Sequence, residues 1–195
     1  MLKLAVLDCE TTGLDNRRHG LLTVAGKILI KGEVVSKFEF RMRPFDEDEI
    51  TEKALEVNGL KKEDIFKYPL PEEVLPKMKE YFYQFVSHDD PKDLLTMVGF
   101  NVTFDQGFLR SFFFKLGALN SFKNIFHYKT IDTQAIVLGY LFANGKDVEM
   151  ESFHQFDCAR AIGINVDDES LHDADYDSSL TMMIFNRMLE KLKDK

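Results

Sequence analysis

The first 43 residues constrain this chain most. They hold three β-rich apolar segments in succession, 2–7, 21–30 and 34–42. The first is a short run rising into Asp8, and the second is dense in Leu, Val and Ile. The third alternates, placing Val34, Ser36, Phe38, Phe40 and Met42 on one face. Only Lys31-Gly32-Glu33 separates the last two segments, so they are expected to pair as an antiparallel hairpin. Beyond residue 50 the apolar period becomes helical. Segments 51–57 and 72–86 read as helices, the second carrying Val74, Met78, Tyr81, Phe82 and Phe85 on one face. A buried strand at 95–100 and a helix at 103–116 follow. Residues 128–131 suggest a brief strand, and Asp132 caps a helix running to about residue 142. Two more helices are expected at 152–162 and 175–192. A hairpin followed by β-α-β-α-α predicts an α/β chain with three layers around a mixed sheet.

A length of 195 residues with 45% hydrophobic and 30% charged content predicts one domain, 1–195, whose core needs no disulfides. The net charge of −8 argues against a broad basic face for gripping duplex nucleic acid. Cys9 and Cys158 form no CxxC, which excludes a zinc ribbon and points to a reducing compartment. The longest stretch free of Asp, Glu, Lys and Arg, 133–145, has 13 residues and is too short to span a membrane. The seven residues ahead of Asp8 leave no room for a signal peptide. The expected setting is therefore cytoplasmic.

Four carboxylates stand out by position. Asp8 and Glu10, at the end of the first strand, share a face because strand side chains alternate, about 7 Å apart along the chain. Neighbouring acids repel and raise each other's pKa unless a cation such as Mg²⁺ or Mn²⁺ sits between them. A solvated strand end running into Thr11-Thr12-Gly13 is the plainer alternative. Asp105 heads an apolar helical stripe with Leu109, Phe112 and Leu116, and Asp177 heads another with Leu180, Thr181, Ile184 and Met188. Both acids would then sit at the helix tops nearest the end of the first strand, although acids also favour helix starts for dipole reasons. His172 lies five residues before Asp177, about 140° away on a helix, and so belongs to the loop leading in. Eighteen Phe and no Trp invite thoughts of base stacking, but Phe108, Phe112, Phe113 and Phe114 share one helix and read mainly as core.

Together, Asp8-x-Glu10-Thr11-Thr12-Gly13-Leu14, Asn101-x-x-Phe104-Asp105 and His172-x-Ala174-x-x-Asp177 resemble the signature of the DnaQ-like 3′–5′ exonucleases of the DEDDh type. The resemblance runs from residue 4 to about 189. Segments 54–60 and 131–133 add softer matches, and Thr23 departs from the Glu common in relatives. The resemblance implies a ribonuclease H-like fold with a five-stranded mixed sheet flanked by helices. It implies hydrolysis of 3′-terminal phosphodiesters in single-stranded or frayed nucleic acid, with DNA favoured and mononucleotides released. Two Mg²⁺ (or Mn²⁺) would be held by Asp8, Glu10 and Asp177, and by Asp8 supported by Asp105. His172 would be the general base. Thr11, Thr12 and Leu14 would contact the terminal nucleotide, and Asn101 and Phe104 the incoming strand. The implied partners are 3′ ends of DNA or RNA and a DNA polymerase or other replication or repair protein. A metal phosphohydrolase built on His172-Asp173 would be helical, against the β-rich start. An idle binding module on the same fold would normally lack an acid or the histidine, and all five are present.

Overall fold

The computed structural model describes residues 2–87, 89–146, 150, 152–167 and 174–193. Strands β1 (Lys3–Thr11), β2 (Leu21–Ile30) and β3 (Glu33–Arg41) form an antiparallel meander. The β2–β3 turn needs positive φ at Lys31 (59°) and Gly32 (84°), which suits the right-handed twist of a two-residue hairpin. Strand β4 (Leu95–Gly99) lies parallel to β1, and β5 (Ile131–Asp132) parallel to β4. The order β3-β2-β1-β4-β5 is the expected five-stranded mixed sheet.

Helices α1 (Glu52–Val57), α2 (Lys62–Ile65), α3 (Pro71–Tyr83), α4 (Val102–Lys115), α5 (Leu119–Ile125), α6 (Thr133–Ala143), α7 (Gln155–Ala161) and α8 (Ala174–Lys193) complete the described elements. β1 is sandwiched, so its alternate residues serve two cores. Ala5, Leu7 and Cys9 join Val74, Met78 and Phe82 of α3 and Phe108, Leu109 and Phe112 of α4. Leu4 and Val6 meet Val98 and Phe185 of α8 on the other side. Among the described residues no helix is long and apolar enough to cross a membrane.

Two details depart from expectation. The segment 128–131 is not a strand along its length: the chain touches β4 at Phe126–Leu95, swings out so that Tyr128 is 78% exposed, and pairs again only at Ile131. α2 and α5 have no counterpart in the sequence reading. Each is two turns or less, too short for a helical period to register, and α5 is fixed by burial of Phe122 and Ile125. As expected, most of Phe108, Phe112, Phe113 and Phe114 on α4 are core: the first three are buried, and Phe114 is 66% exposed.

Candidate active site

The last β1–β4 pair is Val6–Val98, so β1 runs on beyond the carboxyl end of β4. Open α/β sheets place their ligand crevices at such ends. Asp8 and Glu10 project there, on the side that Leu4 and Val6 turn toward α8. Asp177, in the first turns of α8, comes down to meet them. One carboxylate oxygen from each of Asp8, Glu10 and Asp177 lies within 4.8 Å of the others, and all three residues are partly buried. Two ties hold Asp177 in place. Lys27 of β2, 3% exposed, donates to Ser178 Oγ (3.3 Å) and Ser179 Oγ (2.6 Å). Gln155 Nε2 donates to the Asp177 carbonyl (2.9 Å) and to Thr181 Oγ1 (2.8 Å).

Asp105 arrives from the opposite layer, on α4, and is 2% exposed. Its carboxylate accepts hydrogen bonds from the Cys9 thiol, the Cys9 N–H and its own N–H. Burial nevertheless pushes its pKa up to about 8. Asp8 is raised well above the usual carboxylate range, first by burial and then by the charges of Asp105, Glu10 and Asp177. Burial and the charges of Asp105, Asp8 and Glu10 raise the Cys9 thiol, making it a hydrogen-bond donor and not a nucleophile. Three converging hard oxygen donors, with a fourth acid behind them and mutual repulsion to relieve, fit a divalent cation.

Beside the carboxylates opens a largely apolar cleft of about 510 Å³, lined by Thr11, Leu14, Val57, Asn58 and Phe104 among others. Its rim is the 11–14 loop. The Thr11 hydroxyl donates to the Gly13 carbonyl (2.7 Å), and Leu14 stands 86% exposed at the mouth. Phe104 packs on Phe108 with ring centroids 4.8 Å apart. Thr12 does not line this cleft. Its fully buried hydroxyl donates to the Glu49 carbonyl and accepts from Gly20 N–H (2.8 Å), so it holds the loop from behind. Thr51 N–H donates to the Thr12 carbonyl (2.9 Å), and Asn58 Nδ2 to the Thr11 carbonyl (3.0 Å). Gly13 lies so close to the His19 ring that a methyl group there would fall 2.2 Å from it. Asn101 faces a second cleft, on the other side of Asp177. Its backbone is left-handed (φ 60°), and its N–H donates to Asp132, the carboxylate that also caps α6 as expected. His172 lies outside the described residues.

A family model described as exonuclease matches residues 5–185. This chain belongs to the exonuclease family. Ribonuclease T of Actinobacillus pleuropneumoniae serotype 5b is 26% identical over 195 residues, 97% of this exonuclease and 84% of that protein. The PolC-type DNA polymerase III of Staphylococcus aureus is 27% identical over 196 residues, covering 97% of this exonuclease but 11% of the polymerase. The solved Exonuclease I of E. coli in complex with a dT13 oligonucleotide shares the fold, with a TM-score of 0.75 at 16% identity over 100% of this chain. The present chain spans 43% of that one. These matches agree with the DnaQ-like 3′–5′ exonuclease resemblance and the ribonuclease H-like fold, and make the protein a hydrolase.

Several residues that build the site carry no role in the sequence reading. Lys27 had a signal, a lone cation inside an apolar strand. Asn58 sits in the 54–60 segment, whose likeness to relatives gave no function. Gln155 and His19 had none, because their partners are distant in sequence.

Proposed function

We propose that this exonuclease removes mononucleotides from the 3′ end of unpaired nucleic acid, DNA in preference, with residues 1–195 acting as one domain. The convergence of Asp8, Glu10 and Asp177 at the end of β1 is the observation that carries this reading. Asp8, Glu10 and Asp177 would hold one divalent cation, and Asp8 backed by Asp105 a second, Mg²⁺ or Mn²⁺ in each case. When bound, the cations neutralise the scissile phosphate and polarise its oxygens. The chain's own groups do the rest. The 11–14 loop and Phe104 enclose the terminal nucleotide, with Thr11 and Leu14 against it and Thr12 holding the loop. Asn101 meets the incoming strand. His172 takes the proton of the attacking water as general base. The water oxygen bonds to phosphorus as the P–O3′ bond breaks, and the departing O3′ takes a proton from solvent, giving a 5′-mononucleotide and a strand with a new 3′-hydroxyl.

The dT13 bound to the Exonuclease I neighbour supports a single-stranded DNA substrate. The PolC-type relative supports a replication or repair polymerase as partner. Two free, buried cysteines suit a cytoplasmic setting. The test is digestion of labelled single-stranded DNA, single-stranded RNA and a mismatched duplex side by side with Mg²⁺. Single-stranded DNA should shorten from its 3′ end with release of mononucleotides, faster than RNA. A circular or 3′-phosphorylated strand should resist. Efficient cutting of the circle would mean an endonuclease and would overturn the reading.

A further inference from the structure

The second cleft, about 270 Å³, is walled by Phe100, Asn101, Gln134, Phe153, His154 and Phe156. It differs in kind from the first, being dominated by aromatic rings and side-chain amides. Asp177 lines both clefts, so a strand whose scissile phosphate lies over the carboxylates passes from one cleft into the other.

The wall of this cleft is a prepared stack. The His154 and Phe156 rings are nearly parallel, with centroids 5.7 Å apart and planes at 15°. The Arg160 guanidinium carbon lies 5.6 Å from the Phe156 ring centroid. The outer end is open: His154 is exposed, and Phe153 beside it is 47% exposed. The stack is also anchored. Gln134 Nε2 donates to the Phe153 carbonyl (3.1 Å), and Gln155, between the two stacked residues, is the one tied to Asp177 and Thr181. A phenyl–imidazole stack with its imidazole end exposed is what a nucleobase extends, and such stacking tolerates any base because every base has a π-face.

We infer that this cleft is a second nucleotide subsite, where the base of the penultimate nucleotide stacks on His154 and against Phe153. The inference rests on the exonuclease reading above. It supplies a physical reason for selecting unpaired ends, because a base held in a duplex stack cannot present its face to His154.

Oligodeoxynucleotides carrying one abasic position, terminal, second or third from the 3′ end, test it by steady-state hydrolysis with Mg²⁺. Wild type is compared with His154→Ala, Phe153→Ala and the ring-retaining His154→Phe. Both residues are exposed, so the fold should tolerate all three changes. For intact strands each alanine variant should lower kcat/KM about 5- to 100-fold, the loss carried by KM, and His154→Phe should restore it. An abasic second position should impose the same loss on wild type and remove the difference between wild type and His154→Ala. A wild type that digests normally while both alanine variants match it would overturn the subsite and leave the exonuclease reading standing. So would a defect that persists unchanged with the abasic second position. A wild type that releases no mononucleotide with either Mg²⁺ or Mn²⁺ would overturn both.

Discussion

The two walls flanking the carboxylates are built on opposite plans. The wall made by the 11–14 loop is held through its backbone: Thr12, Thr51 and Asn58 fix its carbonyls and hydroxyls, and His19 fills the space behind Gly13. Few of its binding surfaces are free to adjust. The wall made by residues 153–156 is held at two points by glutamine amides and presents ring faces outward. The first is shaped like a socket for one end group. The second, on the inference above, would accept any base on the exposed His154 ring. The contrast separates a wall fixed by its backbone from one that offers side-chain rings.

The largest test of this division removes the chemistry between the walls and leaves the walls. Asp8→Ala should abolish turnover while single-stranded DNA still binds, with the fold intact or slightly more stable in metal-free buffer as repulsion is relieved. Turnover at the wild-type level in that variant, or by wild type in excess chelator, would sink the cation site. His172→Ala should cost roughly 10²–10⁴ in kcat, the usual worth of a general base, with little change in KM. The acid limb of the wild-type pH–rate profile should disappear with it. A variant turning over normally at neutral pH and saturating Mg²⁺ would make His172 a bystander.

Next comes the sealed acid. Asp105 titrates at about 8 in the fold, against about 4 for an ordinary aspartate. Its protonated form is therefore favoured by folding. The stability linked to it is complete below about pH 4 and is lost as pH rises toward 8. In chelator, the melting temperature of Asp105→Asn relative to wild type should climb by several degrees between pH 5 and pH 8. A difference flat with pH would show that Asp105 is ionised throughout. The smallest effect sharpens the socket itself. Asn58→Ala removes one hydrogen bond to the Thr11 carbonyl and should raise KM for short and long strands alike by roughly 2- to 10-fold. A KM change seen only in long strands would assign Asn58 to the wrong wall.

Local pairings were the legible part of the fold. The β2–β3 hairpin is adjacent in sequence and its turn residues announce it, whereas β5 exists only because two residues happen to lie along β4. The same division runs through the site. Strand alternation alone puts Asp8 and Glu10 on one face. A helical stripe tells that Asp105 is buried, but not from which side of the sheet it comes, and it comes from the side opposite Asp177. The resemblance implies a nucleotide contact for Thr12 as for Thr11 and Leu14, but the Thr12 hydroxyl is turned into the loop. Its rotation into the loop depends on Glu49 and Gly20, which no reading of 11–14 contains.

The bond from Lys27 to Ser178 joins residues 151 apart, and it fastens the helix that brings Asp177 to Asp8 and Glu10. During synthesis at about 5–20 residues per second, roughly 8 to 30 seconds separate these two ends of the site. A nascent chain can pair its leading strands in that interval, but it holds only Asp8, Glu10 and Asp105 of the four carboxylates until α8 is made. The three-carboxylate cluster is thus complete only once α8 has been made and docked.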